Sequence, residues 1–414
     1  NKQDTADAHG APLGEEEVRR TKEVYGWPPE ATFRVPDEVR EHMGSRAERG
    51  SDLVAEWEAG MERYREAHPE LAAELERRLA GELPEGWDAD VPSFAPDDGP
   101  LATRAASGKV LDALYPRLPE LVGGSADLSG SNKTLLEDSP DFARDTPAGR
   151  NLRWGVREHA MASISNGLAL HGGVRPYAAT FLIFSDYARP AMRLAALMHL
   201  PLIYVLTHDS IGLGGDGPTH QPVEHLASFR AMPRTVVLRP CDPNEVAAAW
   251  KTAIRRRGGP TLLVLTRQKV PVIEGTADAA PDGVARGGYI LAPEPGELDI
   301  VLVATGSEVQ LAIEARSRLE DEGVSARVVS LPSWELFRSQ PEAYRDSVLD
   351  RGVPRLAVEA GAPLGWSEWV GEGGAVIGIE RFGQSGDGAQ NFRDYGITAD
   401  AVAARAVELL GREA

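Results

Sequence analysis

The sequence predicts an α/β protein made of two parallel-sheet α/β domains preceded by a mostly helical linker. Short apolar, β-branched runs alternate with helical segments from residue 101 to about 272, and a second alternating set covers residues 283–414. Residues 15–83 instead carry Leu, Trp, Met and Tyr at helical spacing between proline turns. The chain of 414 residues is long enough for two or three domains of ordinary size.

The first hundred residues form a region of their own. The opening NKQDTADAHGAPLG is polar and turn-rich, contains no strand pattern and starts at Asn1, so we expect the chain to begin within a longer protein. The acidic, proline-rich stretch GELPEGWDADVPSFAPDDGP interrupts every periodic pattern. We therefore place a boundary near residue 100.

Two sets of apolar runs predict the strands of the two sheets. The first set is ELVGGSAD, PLIYVLTHDS, TVVLRPCD and TLLVLTRQ; the second is DIVLVATGS, ARVVSLPS, PRLAVEAG and AVIGIERFG. The polar stretch EGTADAAPDGVARG lies between them. Because ligands of open parallel sheets bind at the carboxyl ends of strands, residues that follow these runs are the first candidates for a site.

Composition excludes several classes of protein. The formal charge of −19, from 63 acidic and 44 basic residues, argues against nucleic-acid and anionic-membrane partners. No apolar run is long enough to span a membrane. Cys241 is the single cysteine, so no intrachain disulfide forms, and we expect no signal peptide because no charged start followed by an apolar core is found. We expect a cytoplasmic location.

One loop concentrates chemistry-bearing side chains. The segment THDSIGLGGDGPTHQPVEH places His208, His220 and His225 with Asp209 and Asp216 in a glycine-rich loop after a strand. Imidazoles can donate to sugar hydroxyls and exchange protons near neutral pH, so the loop indicates a site for a polar substrate; the alternative is a solvated loop. The spacing fits no compact zinc pattern.

Glycine motifs in the chain do not make a convincing nucleotide or metal site. GLGGDG contains G-x-G-x-x-G but does not follow its strand directly. Gly215-Asp216-Gly217 is followed by a single Asn244, which is expected at a helix N-terminus, and Gly386-Asp387-Gly388 has no suitable partner. We predict no metal ligands among the site residues of this chain.

Other candidates are ambiguous when taken singly. Glu158 begins a predicted helix and is either a catalytic carboxylate or a helix-dipole residue. Phe181, Phe184 and Tyr187 have helical spacing, which favours a core position over a cofactor contact. Arg104 and Arg267 lie beside element ends, where a guanidinium suits phosphate, although an isolated arginine is more often an ordinary surface residue.

Several motifs taken together resemble the transketolase family over nearly the whole chain. In order they are HGAPLG, TRAASG, GGSADLSGSN, GVREHAM, TFLIFSDYAR, THDSIGLGGDGPTHQPVEH, LRPCDPNE, LTRQ and ATGSEV. The resemblance implies a thiamine-diphosphate pyrimidine-binding domain at residues 101–272 and the family's C-terminal domain at residues 283–414. It also implies that residues 1–100 are the end of a missing diphosphate-binding domain plus the linker.

The resemblance implies roles for individual residues. Glu158 matches the catalytic glutamate that contacts the pyrimidine nitrogen of the cofactor and promotes its deprotonation. His9, His208 and His220 match residues that bind substrate oxygens and assist proton transfer, and His9 also contacts the cofactor. Further cofactor contacts match Phe181, Phe184, Tyr187 and Asp127. The matching substrate-binding residues are His9, Arg104, Ser131, His208, Asp216, His220 and Arg267. Among them, Asp216 matches the group that recognises the acceptor's hydroxyl beside its aldehyde, and the sugar-phosphate ligands match Arg104, Ser131, His208 and Arg267.

The implied reaction transfers a two-carbon ketol unit from xylulose 5-phosphate to ribose 5-phosphate or erythrose 4-phosphate in the pentose phosphate pathway. The implied cofactors are thiamine diphosphate and Mg²⁺ or Ca²⁺, with metal ligands expected in the missing domain. A homodimer that divides its active site between subunits is also implied. We therefore expect the chain alone to be inactive.

Two alternatives stay open at this point. A ketol transferase similar to dihydroxyacetone synthase would share the architecture, although Arg104 and Arg267 favour phosphorylated sugars over formaldehyde. A non-catalytic transketolase-like subunit would have no need for Glu158, His208 and His220. The ATGSEVQ segment has the strand-turn-helix form of an anion site, but we expect a structural role for it.

Overall fold

The computed structural model describes residues 1–412, which form two compact units, residues 1–74 and the remainder from Leu75 onward. The helices are α1 Glu15–Val24, α2 Asp37–Ala67, α3 Pro69–Ala80, α4 Thr103–Leu114, α5 Ser129–Asn132, α6 Glu158–His171, α7 Ser185–Leu197, α8 His225–Arg230, α9 Pro243–Arg255, α10 Thr276–Arg286, α11 Val309–Asp321, α12 Trp334–Arg338, α13 Glu342–Leu349, α14 Ser367–Val370, α15 Gly388–Asp394 and α16 Ala399–Leu409. The strands are β1 Leu101–Ala102, β2 Leu121–Ser125, β3 Arg175–Phe181, β4 Ile203–Thr207, β5 Val236–Leu238, β6 Thr261–Leu265, β7 Lys269–Val270, β8 Tyr289–Ala292, β9 Ile300–Ala304, β10 Ala326–Ser330, β11 Arg355–Val358 and β12 Ala375–Ile377. Within residues 1–412, none of these helices is long and apolar enough to cross a membrane.

The first unit is helical, as its sequence predicts. Neither α1 nor α2 contains a buried residue. Apolar side chains along α2 are well exposed, including Met43, Leu53 and Trp57. Such a helix gains little from core packing within its own unit.

The first sheet lies in the second unit and is entirely parallel. Its order is β2-β3-β4-β6-β5, and four of its strands are those expected from the first set of apolar runs. Both faces are covered, because β4 and β6 are buried along their whole length. This explains why their sequences are continuously apolar instead of alternating.

The second sheet has the order β12-β11-β9-β10-β8. Four strands are parallel, and the edge strand β8 runs antiparallel to β10. One face packs around Val301, Val303 and Trp366, and the other packs against α11 and α16. The predicted fold class is confirmed, with one antiparallel edge that the sequence patterns did not show.

Three local predictions differ from the structure. Phe181 ends strand β3 and Phe184 precedes α7, so their helical spacing was wrong. Strand β3 was missed because RPYAATF contains a proline and two alanines, and Thr180 is its single β-branched residue. The polar stretch taken as a separator forms α10, which packs against α9 and accommodates Pro281.

A buried ionic network joins the two sheets. The Arg239 side chain, which is fully buried after β5, donates to Asp209 Oδ2 at 2.7 Å and 3.0 Å and to Thr305 Oγ1 at 3.0 Å. It also pairs with Glu308. Asp209 follows β4 of the first sheet, whereas Thr305 and Glu308 follow β9 of the second. Arg239 therefore connects the two domains through their strand ends.

A second arginine extends the network. Arg230 Nη1 and Nη2 each lie 2.7 Å from an oxygen of Glu359, a bidentate pair that is buried on both sides. Burial opposes ionisation of Glu359, but Arg230 and then Arg239 hold its pKa at about 2. Trp366 Nε1 and Thr305 Oγ1 also donate to this carboxylate, at 2.9 Å and 2.6 Å. Its charge is therefore fully compensated.

We predict that Arg239→Met destabilises the fold by about 3–5 kcal/mol, because it leaves Asp209 and Glu308 as buried carboxylates without their cation. The free energy of unfolding is measured in denaturant. The matched control is Arg405→Met, which removes a surface pair with Glu408 and is expected to cost about 0–1 kcal/mol. Equal effects of the two substitutions would contradict the importance of the network.

Candidate active site

Candidate residues collect at the carboxyl edge of the first sheet. Asp127 follows β2, Phe181 ends β3, His208 follows β4 and Arg267 follows β6, and these four strands are neighbours in the sheet. Parallel strands present their carboxyl ends at the same edge. The topology thus places residues from four distant segments along one edge.

Aromatic rings form a wall at this edge. The rings of Phe181 and Phe184 are stacked with centroids 5.5 Å apart, and His208 stacks on Phe181 at 3.6 Å. His220 lies edge-on to both phenylalanines, at 5.3 Å from Phe184 and 6.2 Å from Phe181. Tyr187 continues the wall at 6.2 Å from Phe184 and is exposed. The structure therefore brings His208 and His220 against the pair of phenylalanines.

A cationic region lies next to His208. Arg104 Nη1 donates to the backbone oxygen of Ser131 at 2.8 Å and lies 3.5 Å from His208 Nε2. Burial, followed by the charge of Arg267, lowers the pKa of Arg104. Burial, then Arg104, Arg267 and His220, lowers the pKa of His208 to about 3. At neutral pH the positive charge here therefore belongs to the arginines and not to His208.

The loop that carries the histidines is held by the C-terminal domain. Gln221 donates to the backbone oxygens of Gly214 and Gln384, both at 3.0 Å, and Asn391 donates to Ile211 O at 3.3 Å. The backbones of the loop and of the C-terminal domain also approach each other closely at Gly212 and Gly388. A Cβ on Gly388 would lie 2.4 Å from Gly212 O. The conformation of the loop thus depends on residues 384–391.

Glu158 is the first residue of α6, as predicted. Its side chain is buried and makes no hydrogen bond or ion pair with any residue in the range 1–412. A buried carboxylate without a partner is costly, so such a group indicates a site for an external donor. Asp127 is exposed, with the positive φ of 60° that Asp tolerates better than most residues.

Other members of the histidine loop have separate positions. Asp209 belongs to the buried network with Arg239, and His225 is buried with its Nε2 3.2 Å from Asp186. Asp216 is exposed in the loop. His9 is exposed in the first unit, directly after a short 3-10 helix at Ala6–Ala8.

The residues considered as metal ligands have structural contacts. Asn244 Nδ2 donates to Phe94 O and Thr276 Oγ1, both at 3.0 Å, and its Oδ1 accepts from Phe94 N. Asp387 caps α15 by accepting from Gln390 N at 3.0 Å. Within residues 1–412, no group of three His, Cys, Asp or Glu side chains is placed to hold a metal ion.

Sequence reasoning missed two polar residues that contact His208 or its neighbour. Thr207 Oγ1 lies 2.8 Å from His208 Nδ1 and donates to Asn132 Oδ1 at 2.6 Å. Asn132 comes from α5, after β2, and is buried. The sequence GSN, which contains Ser131, was the available signal. The contact of Asn132 with β4 depends on the order of the strands, which the sequence does not show.

Three protein-family models match the chain. The transketolase pyrimidine binding domain matches residues 99–272, the transketolase-like TK C-terminal domain matches residues 287–398, and the transketolase thiamine diphosphate binding domain matches residues 1–84. The chloroplastic transketolase of Craterostigma plantagineum is 48% identical over 414 residues, which cover 99% of this chain and 79% of the relative. This chain belongs to the transketolase family. The resemblance stated from its motifs is thereby confirmed.

Other similarities agree with the assignment. Transketolase of Halalkalibacterium halodurans is 50% identical over 411 residues, which cover 99% of this chain and 62% of the relative. A crystal structure of Pichia stipitis transketolase, described as a complex with sedoheptulose 7-phosphate, matches with a TM-score of 0.91, 44% identity and coverage of 97% of this chain and 60% of that one. The chain therefore spans less than two thirds of these two relatives.

One prediction from the sequence is wrong. The diphosphate-binding domain was expected to be absent, but the family model of that domain matches residues 1–84. The helices read as a linker lie within this match. Their polar sequence resembles a connector, and they contain no metal motif that would indicate a diphosphate-binding domain.

We predict that His208 makes stability fall as the pH is lowered. Its folded pKa, about 3, lies below the ordinary His value of about 6.5, so the unfolded chain takes up a proton first. Stability is complete above pH 6.5 and declines towards pH 3, by up to about 1.4 kcal/mol per pH unit. Unfolding free energies from pH 7 to 4 should fall less steeply in His208→Gln. The control His171→Gln changes an exposed histidine and should keep the steeper slope of the parent chain. If unfolding free energy falls with pH equally in the parent chain, His208→Gln and His171→Gln, the prediction is contradicted.

Proposed function

We propose that this chain supplies the pyrimidine-side active-site residues of a transketolase that transfers a two-carbon ketol unit between sugar phosphates. The donor is a ketose phosphate such as xylulose 5-phosphate, and the acceptor is ribose 5-phosphate or erythrose 4-phosphate. The observation that carries the proposal is the single sheet edge on which the Phe181–Phe184 wall, His208, His220 and the arginine pair meet. The reaction would serve the pentose phosphate pathway and, in organisms that have it, the Calvin cycle.

The residues fit the pyrimidine ring of thiamine diphosphate. Glu158 offers a buried carboxylate that has no partner among the described residues, suited to an acidic ring N–H. Phe181, Phe184 and Tyr187 offer aromatic faces for a planar ring. When bound, thiamine diphosphate supplies a nucleophilic carbon and an electron sink. Glu158 would hold the ring proton, while the aromatic wall would orient the ring and exclude water.

The cationic region fits the phosphate end of a sugar. Arg104 and Arg267 place two guanidiniums beside His208, and Ser131 lies against Arg104. His220 and Asp216 lie on the loop beyond the aromatic wall, where sugar hydroxyls would be bound. Two guanidiniums favour phosphorylated sugars over formaldehyde, because an uncharged acceptor gains nothing from their charge.

Three further parts of the proposal rest on the family. His9 is proposed to contact the cofactor and substrate, Asp127 to contact the cofactor, and Mg²⁺ or Ca²⁺ to accompany the diphosphate.

The location is proposed to be cytoplasmic, without nucleic-acid or membrane partners. The net charge of −19 supports the absence of polyanionic partners.

A homodimer is proposed from exposed apolar side chains of the first sheet's helices. α6 and α7 pack against each other. On and beside them, the exposed large apolar residues are Val156, Ile164, Leu170, Leu194, Leu197 and Met198. Several exposed large apolar side chains on and beside two packed helices favour a protein interface there. Tyr187 shares this region, so the interface would lie close to the aromatic wall.

We predict that Glu158→Gln lowers kcat for ketol transfer by about 10²–10⁴-fold, the usual contribution of a positioned acid or base. Transfer from xylulose 5-phosphate to ribose 5-phosphate is measured with thiamine diphosphate and Mg²⁺. The assay uses the purified 414-residue chain. The control Glu372→Gln changes an exposed turn residue and should leave kcat unchanged.

The activity assay has two adverse outcomes with different meanings. No turnover by the parent chain, with thiamine diphosphate shown by calorimetry to be bound, would contradict the proposed reaction. Full turnover by the Glu158→Gln variant would retain the reaction but remove Glu158 from its proposed role.

We predict that Ile164→Asp converts the dimer into a monomer, because a carboxylate cannot be buried in an apolar interface without a partner. The mass in solution is measured by light scattering during gel filtration. Leu364→Asp is the control, since Leu364 is even more exposed but lies outside α6 and α7. A parent chain that is monomeric at micromolar concentration would argue against the dimer.

A further inference from the structure

The second sheet has a crevice at the carboxyl ends of β9 and β11. From β9 the chain continues through α11 to β10 on one side of β9, whereas β11 lies on the other side and continues to β12. The segments that follow these two neighbouring strands therefore leave in opposite directions. In open α/β sheets this is the place where ligands bind. Residues 305–308, after β9, and Glu359, after β11, define the β9–β11 crevice.

A guanidinium group from the other domain fills this crevice. Arg239 Nη1 donates to the backbone oxygen and Oγ1 of Thr305, at 3.1 Å and 3.0 Å, and pairs with Glu308. Glu359 Oε1 lies 4.0 Å from the same nitrogen. All four residues are buried. The C-terminal domain thus offers two carboxylates and two further oxygen acceptors to one end of the group.

The acceptors of the crevice are oriented by bonds within the C-terminal domain. Thr305 Oγ1 donates its single hydrogen to Glu359 Oε1 at 2.6 Å, so its lone pairs are left for Arg239. Glu308 Oε2 accepts from Ala360 N at 2.9 Å. Since these bonds do not involve Arg239, the acceptors are in place before a cation arrives.

The backbone of the crevice leaves room for a flat group. Gly306 has the left-handed φ of 55°, which glycine adopts without strain. A Cβ at this position would lie 2.7 Å from Arg239 Cζ and 2.8 Å from its Nε. Any larger residue would therefore occupy the space that the guanidinium fills.

We propose that the β9–β11 crevice is a binding site for a guanidinium group, and that Arg239 is a ligand that the neighbouring domain supplies within the same chain. The planar fork of N–H donors matches an acceptor set of this kind. Asp209 Oδ2 accepts the remaining bonds, from Nε at 3.0 Å and from Nη2 at 2.7 Å. Because Asp209 follows His208, the occupant of the crevice also holds the start of the histidine loop.

This proposal differs from an ordinary ion pair between domains in what happens when the arginine is removed. In an ordinary ion pair the two surfaces close or separate, and no space of defined shape is left behind. A preformed site keeps its acceptors and accepts a free compound of the same chemistry. Rescue of an arginine-less variant therefore distinguishes the two cases.

The test uses Arg239→Ala in the whole 414-residue chain. The variant is refolded with N-ethylguanidinium, which replaces the atoms lost beyond Cβ, because the buried crevice has no exposed entrance. We expect the midpoint of thermal unfolding to rise by roughly 2–4 °C for each tenfold increase in concentration above the dissociation constant. Guanidinium should act more weakly, since it leaves the space of the methylenes empty.

Two compounds separate shape from charge. Urea has the planar shape without the charge, and tetramethylammonium has the charge without the planar donors. Neither should raise the midpoint of Arg239→Ala. An equal rise with either compound, or no rise with N-ethylguanidinium, would overturn the proposal.

Two further variants serve as controls. Arg405→Ala removes an exposed arginine that pairs with Glu408, and no compound should raise its midpoint. Adding Glu308→Gln to Arg239→Ala removes one carboxylate of the crevice and should abolish the response. A response retained by this double variant would also contradict the site.

The design remains decisive if Arg239→Ala does not accumulate as a folded chain. In that case the yield of folded chain after refolding with each compound replaces the midpoint, and the same ranking of compounds is expected. Neither readout depends on turnover. The guanidinium site can therefore fail while the proposed ketol transfer stands, and the reverse also holds.

Discussion

The rest of the structure depends on the burial of Arg239 between two sheets. A buried guanidinium is stable only when every charge around it is compensated, and Asp209, Glu308 and Thr305 provide that compensation. Since these partners come from both domains, neither domain satisfies the network alone. Apolar packing brings the sheets together, but the ionic contacts allow only one relative placement of their strand ends.

That placement also determines the candidate active site. Asp209 is bound to Arg239 and directly follows His208, so the network fixes the start of the histidine loop. Residues 384–391 hold the middle of the same loop through Gln221 and Asn391. The proposed sugar-phosphate site would benefit from groups that are in place before a substrate arrives. In this chain, groups from both domains hold the histidine loop in place.

The sequence predicted the parts of the fold that follow local patterns. Strand runs, the helix that starts at Glu158 and the family's motifs were all readable, because each depends on neighbouring residues. The contact of Asn132 with Thr207 was not readable, since it requires β2 and β4 to lie on either side of β3. Phe181 was misread because a strand containing proline and alanine lacks the usual β-branched signal. The first domain was misjudged because its helices lack any catalytic motif.

The glycine contacts between the histidine loop and the C-terminal domain affect how sequence variation should be read. A Cβ on Gly388 would lie 2.4 Å from Gly212 O, and one on Gly217 would lie 2.2 Å from Ser385 Oγ. A side chain at Gly388 would meet backbone, so it could not be accommodated without moving the loop that carries His220 and Asp216. Substitutions at Gly388 in the C-terminal domain would therefore behave in a genetic screen like substitutions in the histidine loop itself.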